Sequence, residues 1–307
     1  MIPREFGRSG IQLSPVIFGS MRLDPSKIEL ERAIELVSYL YSRGVDTFHS
    51  SHEYDTDAFF CRAIQQFRQQ HPEAEIKHIV KIGVPHFGDS EFSSAKLIAL
   101  VENRLRDLNT ERIDLVQWLV RHQPNEDRYR LPILAACQQE LQKTWSRLQQ
   151  EGKVGALAAF PYSVPFAEAV LQLPSCWGLV TYLNYLELEM APLLDVMAAN
   201  GQGYVAIRPL GGGLITGDSD LAAVPKQQRL QKIMAALNLR ASELVKSAVR
   251  FPLLHPAVTS VMVSVSSIAH AEEIIVAVEE FERLNVATGD RTAFEGICQS
   301  IHQAREL

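Results

Sequence analysis

Hydrophobic residues along this chain gather in short runs that alternate with longer amphipathic segments. The runs are rich in valine, isoleucine, leucine and aromatic residues, as buried strands are. Eight such runs occur, at 15–20, 45–49, 76–83, 113–120, 154–160, 177–183, 204–210 and 258–264. Segments with the 3.6-residue period of a helix lie between them, at 29–43, 95–108, 134–150, 164–173, 191–199 and 241–251.

This alternation predicts the fold class. Strands that alternate with helices form a parallel sheet. Eight repeats favour closure into a (β/α)8 TIM barrel over the alternative, an open doubly wound sheet. We therefore expect an α/β protein with a single barrel domain over residues 1–307, in which the segment 290–307 forms a closing helix.

Composition and charge narrow the class of partner. With 47% hydrophobic and 21% charged residues, the chain can bury a large core. Its formal charge of −6 and the even spread of its 30 Lys and Arg residues predict no nucleic-acid partner. The stretches 169–186 and 251–269 lack Asp, Glu, Lys and Arg but contain prolines and polar residues, so we interpret them as buried strands and expect no membrane partner.

The cysteines and the N-terminus both predict a cytoplasmic protein. The 4 cysteines lie far apart and form no CxxC pair, which indicates buried thiols in a reducing compartment. Arg4, Glu5 and Arg8 precede any apolar stretch, which a secretion signal would not tolerate.

Candidate chemistry lies where the second and third predicted strands end. His49 ends the second strand, Tyr54 lies on the following loop, and Lys81 lies near the end of the third strand. Barrel enzymes carry their active sites on this face. A phenol with an ordinary pKa of about 10 is a better acid when a nearby cation stabilises its phenolate, so Tyr54 and Lys81 could protonate a carbonyl oxygen. A zinc site at His49, His52 and Glu53 would lack a more distant ligand, and we predict no metal.

Motifs along most of the chain extend this picture. They are, in order, FGRSGIQLSPVIFGSMRL, GVDTFHSSHEY, RLRDLNTERIDLVQW, LQQEGKVGALAAF, VAIRPLGGGLITG and HPAVTSVMVSVSS. In order and spacing they resemble the aldo-keto reductase family. The resemblance implies a (β/α)8 barrel that uses NADPH or NADH to reduce a small carbonyl or sugar-like substrate. It also implies a catalytic aspartate ending strand two, a tyrosine five residues later, a lysine ending strand three and a histidine ending strand four.

The chain departs from this catalytic pattern at the aspartate position. Tyr54 and Lys81 fall at the family's tyrosine and lysine positions, whereas His49 falls at the aspartate position. Lys81 therefore loses its anionic partner unless Glu53 or Asp55 supplies one.

The family's histidine position has two possible alignments. Counting from the IDL turn places Leu119 there, whereas the H-x-P pattern that usually follows the strand is matched by His122. Side chains alternate along a strand, so Arg121 shares a face with Leu119, and His122 points the other way unless a bulge re-aims it. Either Arg121 or His122 could donate to a carbonyl oxygen; for both, a surface-loop role is the alternative.

The resemblance places cofactor contacts after the first, seventh and eighth strands. The implied residues are Gly19, Ser20, Met21, Arg208, Leu210, Gly212, Ser264, Ser266 and Ser267. Glycines let the backbone approach a phosphate closely, and a helix start can bind one. A glycine turn and a serine N-cap are the alternative interpretation of each motif.

Other cofactor contacts of the family are missing. Phe160 and Pro161 replace a Ser-Asn pair, and Val180 replaces a glutamine. Ile207 replaces the tyrosine that stacks on the nicotinamide ring, and residues 264–275 contain no Lys or Arg to favour NADPH over NADH.

Three functions fit these residues. The first is a divergent NAD(P)H-dependent oxidoreductase that uses Tyr54 and Lys81. The second is a barrel without hydride chemistry that serves as a binding or regulatory subunit, in line with the altered cofactor groove. The third is a non-redox acid-base enzyme on a sugar-like or phosphorylated substrate, with Arg121 or Arg208 binding an anion.

Overall fold

The computed structural model describes residues 1–123, 125–216, 224–284 and 290–306, and within them eight parallel strands form a closed barrel. A short antiparallel hairpin of β1 (Arg4–Glu5) and β2 (Gln12–Leu13) precedes it. The barrel strands are β3 (Val16–Gly19), β4 (Thr47–Ser50), β5 (Lys77–Gly83), β6 (Ile113–Leu119), β7 (Val154–Ala159), β8 (Cys176–Tyr182), β9 (Gly203–Ile207) and β10 (Val258–Val263). Each strand pairs with the next in the chain, and β10 closes the barrel against β3.

Helices connect the strands and surround the barrel. They are α1 (Leu30–Ser42), α2 (Asp57–Gln70), α3 (Ser94–Asp107), α4 (Asp127–Gln150), α5 (Val164–Leu171), α6 (Leu194–Ala199), α7 (Val224–Ala236), α8 (Leu244–Leu253), α9 (Ile268–Leu284) and α10 (Arg291–Glu306). The predicted (β/α)8 barrel is therefore confirmed, and the expected closing helix corresponds to α10. Within the described residues, no helix is long and apolar enough to cross a lipid bilayer.

The hairpin closes the N-terminal end of the barrel. Phe6, Ile11 and Leu13 pack against inward-facing strand residues such as Ile79 and Val205 in one buried cluster. Full burial of a large apolar side chain contributes about 1.5–3 kcal/mol, so this plug adds to the stability of the fold. The opposite end of the barrel, where the strands end, contains a cavity.

Strand alternation decides which side chains reach that cavity. Along β6 and the two residues beyond it, Gln117, Leu119 and Arg121 line the cavity, while Trp118 between Gln117 and Leu119 points outward and donates to Val84 O at 2.8 Å. This is the period of two that a strand imposes. The same face continues past the end of β6, and it is the face on which Arg121 lies.

Candidate active site

A cavity of about 910 Å³ opens at the carboxyl ends of the barrel strands. Residues from both the strand ends and the following loops line it, which is the usual position of a barrel active site. Of the residues that the sequence singles out, the lining includes Gly19, Met21, His49, Tyr54, Lys81, Arg121, Arg208, Leu210, Gly212, Ser264 and Ser266. His122, Ser20 and Ser267 are not part of it.

Tyr54 and Lys81 face each other in this cavity. The Lys81 ammonium nitrogen lies 4.8 Å from the centre of the Tyr54 ring. Among the described residues, none hydrogen-bonds to the Tyr54 hydroxyl, so that group is available to a ligand. Burial raises the pKa of Tyr54 to about 12, and the nearby charge of Glu53 adds to this effect. Arg121 and Arg208 act in the opposite direction. The phenol is therefore protonated at neutral pH.

Glu53 supplies the carboxylate that the His49 position lacks. Its Oε2 lies 3.0 Å from Lys81 Nζ and 2.5 Å from Arg121 Nη2, and its Oε1 accepts from Arg121 Nε at 3.1 Å. Burial alone would raise the pKa of Glu53, but Lys81 and Arg121 together hold it below its ordinary value. Two cations thus share one ionised carboxylate, and burial lowers the pKa of Lys81 against the opposing pull of Glu53.

The loop that carries Glu53 and Tyr54 is anchored at both ends. The buried Arg104 guanidinium donates to Asp57 at 2.5 and 3.0 Å and to Ser50 Oγ at 3.2 Å. Between these anchors the Tyr54 amide donates to Ser51 O at 3.0 Å, which forms a tight turn. Arg104 thus binds both the last residue of β4 and the first residue of α2. The loop between these two elements is therefore held at both ends.

His49 is a buried, neutral side chain. Its Nε2 lies 2.8 Å from Gln117 Oε1, and the Gln117 amide nitrogen donates to Val180 O at 2.8 Å. That arrangement makes the Gln117 oxygen the acceptor, so Nε2 of His49 carries the proton. Burial lowers the pKa of His49 to about 4 despite the hydrogen bond to Gln117. Imidazole therefore replaces a carboxylate here without adding a charge at neutral pH.

The two candidate donors at the end of β6, Arg121 and His122, lie in different environments in the structure. Arg121 lines the cavity and pairs with Glu53, whereas His122 stacks on Tyr129, with ring centres 4.8 Å apart and planes inclined by 17°. No bulge in β6 re-aims His122 toward the cavity. Leu119, the alternative alignment, lines the cavity with an apolar side chain.

The wall formed by β7, β8 and β9 is aromatic and apolar. Phe160 meets the rings of Tyr162 and Tyr182 edge-on, with centroid distances of 4.9 and 5.3 Å. Ile207 lines the same wall, whereas Val180 lies deeper, in the buried cluster inside the barrel. The sequence analysis did not identify Tyr162 or Tyr182 as lining residues. Side chains alternate along β8, so Tyr182 lies on the same face as Val180 and could have been predicted to point into the barrel.

The far end of the cavity is lined by backbone and small polar groups. A Cβ at Gly19 would lie 2.7 Å from Ser264 Oγ, so a larger residue there would push that hydroxyl out of its present position. Gly212 has a φ of 71° and nothing within 4 Å of its missing Cβ, which leaves its backbone accessible from the cavity. Ser267 immediately precedes α9 and its hydroxyl accepts from the His270 amide at 3.3 Å, as an N-cap does.

Comparisons with known proteins agree with this architecture. A sequence model of the Aldo/keto reductase family matches residues 15–288. The chain belongs to the aldo/keto reductase family. Its curated relatives include L-galactose dehydrogenase from Arabidopsis thaliana, which is 21% identical over 313 residues, covering 97% of this chain and 94% of the relative.

Solved aldo-keto reductases share the fold at low sequence identity. The apo form of an aldo-keto reductase from Bacillus halodurans superposes with a TM-score of 0.70 at 19% identity, covering 99% of this chain and 96% of the other. Its holo form gives a TM-score of 0.69 at 18% identity, with the same coverage. Likeness at this level supports the barrel but does not define a substrate.

Within the described residues, no group of three or more His, Cys, Asp or Glu side chains is arranged to hold a metal ion. Glu53, considered above as a ligand, lies instead beside basic side chains. Glu53 pairs with Lys81, Arg121 and His86.

Proposed function

We propose that this protein is a carbonyl reductase of the aldo/keto reductase family that uses NADPH or NADH. The observation that carries the proposal is the group formed by Tyr54 and Lys81, which line one cavity, and Glu53, which pairs with Lys81. It contains a protonated phenol, a cation beside its ring and a carboxylate that pairs with the cation. This group retains the charge pattern of the family's catalytic set with the carboxylate on a loop.

Reduction requires a hydride at the carbonyl carbon and a proton at the carbonyl oxygen. The reduced nicotinamide supplies the hydride when it is bound. Tyr54 donates the proton through its hydroxyl, and Lys81 and Arg121 stabilise the phenolate that is left. His49 is neutral at pH 7 and contributes no charge to this step.

The residues of the cavity fit a dinucleotide better at its phosphate end than at its nicotinamide end. The hydroxyls of Ser264 and Ser266, shortly before α9, and the accessible backbone at Gly212 provide donors on the cavity lining. At the other end, the Gln117 oxygen accepts from His49 and one of its two amide hydrogens is donated to Val180 O, so a single N–H is left for a carboxamide. We expect most of the cofactor affinity to come from the phosphate end.

Titration with NADPH and with NADH tests this proposal, followed by tryptophan quenching and energy transfer to the nicotinamide. We expect micromolar binding of at least one cofactor and reduction of aldehydes in a subsequent screen. The screen should include sugar aldehydes, because the Arabidopsis relative is named for a sugar substrate.

Tyr54→Phe provides the decisive variant. It should bind the cofactor as the wild type does and reduce aldehydes about 10²–10⁴-fold more slowly, because it loses only the proton donor. Tyr129→Phe, which removes a phenol outside the cavity, is the matched control. Absence of binding to either cofactor at millimolar concentration would refute the proposal and favour a binding subunit.

A further inference from the structure

Arg208 differs from the other cations near Tyr54. Lys81 and Arg121 both pair with Glu53. Arg208 also lines the cavity, but it forms no ion pair with any described residue, and its guanidinium carbon lies 5.0 Å from the centre of the Tyr182 ring. Three cations therefore surround the phenol with one carboxylate among them. The local charge is positive in a chain whose formal charge is −6.

The backbone of Arg208 is held in an unfavourable conformation. Its φ is 55°, and the other described non-glycine residues with positive φ are asparagines, Asn109 and Asn238. Asparagine tolerates this region, whereas a side chain such as that of arginine adopts it rarely and at a cost in backbone energy. The following Pro209 restricts the position further. The buried Asn184 amide holds the conformation by donating to Arg208 O at 2.9 Å.

This conformation directs the guanidinium across the cavity wall and onto Tyr182. Burial raises the pKa of Tyr54 and lowers that of Lys81. The nearby charge of Arg208 lowers both pKa values, so it opposes burial at Tyr54 and adds to it at Lys81. Arg208 therefore lies within electrostatic reach of the proton donor. An unpaired guanidinium that stacks on an aromatic ring keeps its planar N–H donors free for a bidentate anion.

We infer that Arg208 binds a carboxylate on the substrate, so that the protein prefers carbonyl compounds that carry one. The inference rests on the proposed function and assigns Arg208 to the substrate rather than to the cofactor phosphates. Phe160, Tyr162 and Tyr182 form an aromatic surface for the body of such a substrate. The positive charge around Tyr54 attracts the anion before it reaches Arg208.

A pair of matched aldehydes tests the inference. The probes are 4-carboxybenzaldehyde and its uncharged methyl ester, with kcat/KM measured for the wild type, Arg208→Met and Arg208→Lys. We expect Arg208→Met to lower kcat/KM for the charged aldehyde about 10–100-fold and to change that for the ester less than about twofold. The kcat/KM of Arg208→Lys for the charged aldehyde should lie between those of the wild type and Arg208→Met, because lysine keeps the charge but lacks the paired N–H donors of the guanidinium. Arg128→Met is the control, since Arg128 lies over Tyr129 outside the cavity.

Two binding measurements distinguish the possible failures. If Arg208→Met weakens binding of NADPH or NADH and lowers kcat/KM equally for both aldehydes, Arg208 binds the cofactor phosphates and the inference is wrong. Calorimetric titration with 4-carboxybenzoate needs no turnover. If the wild type binds 4-carboxybenzoate and Arg208→Met does not, the carboxylate site at Arg208 is supported even when no aldehyde is reduced. In that case only the proposed function fails. Carboxylate binding that is absent or equal in both proteins overturns the inference.

Discussion

The cavity wall formed by the ends of β4, β5 and β6 differs in kind from the wall formed by β7, β8 and β9. The first wall is charged and internally paired, with Glu53 between Lys81 and Arg121. The second is built of aromatic and aliphatic side chains, and its one cation, Arg208, has no described carboxylate partner. The charges of the first wall pair with one another, whereas Arg208 on the second wall pairs with no carboxylate in the described part of the chain.

This difference shows how each wall can change in sequence. On the first wall the charge balance survives the histidine at position 49, because Glu53 reaches the same lysine from the loop four residues further along. On the second wall Phe160, Pro161 and Val180 stand where resemblance to the family implies amide contacts, and none of the three has a polar side chain. We therefore expect turnover and stability to depend on the first wall, and ligand binding to depend on the second.

The largest expected effect concerns the neutral state of His49. An ordinary histidine has a pKa of about 6.5, and burial lowers that of His49 to about 4. As the pH falls below about 6.5, the unfolded chain binds a proton at His49, while the folded chain does so only near pH 4. The stability that this group contributes is full above about pH 6.5 and is lost on the way to pH 4, a loss of about 3 kcal/mol.

Urea unfolding of the wild type and His49→Gln at pH 7 and pH 4.5 measures this effect. The glutamine amide can donate to Gln117 as the imidazole does, but it does not titrate. The wild type should lose about 2 kcal/mol more stability than the variant over this range. Buried His78 is present in both proteins, so its titration cancels in the difference. Equal losses would mean that the first wall tolerates a charged imidazole.

The next largest effect concerns the shared carboxylate. Glu53→Gln leaves Lys81 and Arg121 without an anion, and the three side chains are only 13%, 12% and 18% exposed. We expect a loss of about 2 kcal/mol in unfolding free energy, below the full cost for a deeply buried pair because some solvent reaches the site. Turnover should fall at least tenfold, because loss of the carboxylate lowers the pKa of Lys81 further and releases its ammonium group from the position it holds beside Tyr54.

Glu91→Gln is the matched control for this prediction, since Glu91 is exposed and forms no ion pair with a described residue. The pH profile distinguishes a catalytic effect from a structural one. In Glu53→Gln the decline in activity that reports Lys81 deprotonation should begin at lower pH than in the wild type. An unchanged profile with reduced stability would assign Glu53 a structural role alone.

The sequence predicted the barrel because its eight strand runs are strongly periodic. Helix boundaries were less accurate where the period is interrupted. Helix α4 begins at Asp127, ahead of the predicted start at 134, since Pro132 and buried Arg130 hide the apolar stripe in its first turns. Helices α2 and α9 were not singled out, although both bury an apolar face.

The site was predictable where strands position the side chains and not where loops do. Tyr54 and Lys81 were predicted to meet because strand ends converge at one face of a barrel. The position of Arg121 followed from alternation along β6. The pairing of Glu53 with Lys81 depends on the path of the loop that Arg104 anchors, and no local sequence pattern encodes that path.

The smallest expected effect concerns the second wall. Ile207 lies at the position where the family resemblance implies a stacking tyrosine, and it lines the cavity half-buried. Ile207→Tyr should tighten binding of NADPH and NADH about 3–10-fold, because an offset aromatic contact contributes about 0.5–1.5 kcal/mol. Ile207→Leu adds no ring and should bind as the wild type does. Weaker binding in Ile207→Tyr alone would indicate that Phe160 and Tyr182 already fill the space beside the ring, so that this wall is shaped for the substrate rather than for nicotinamide.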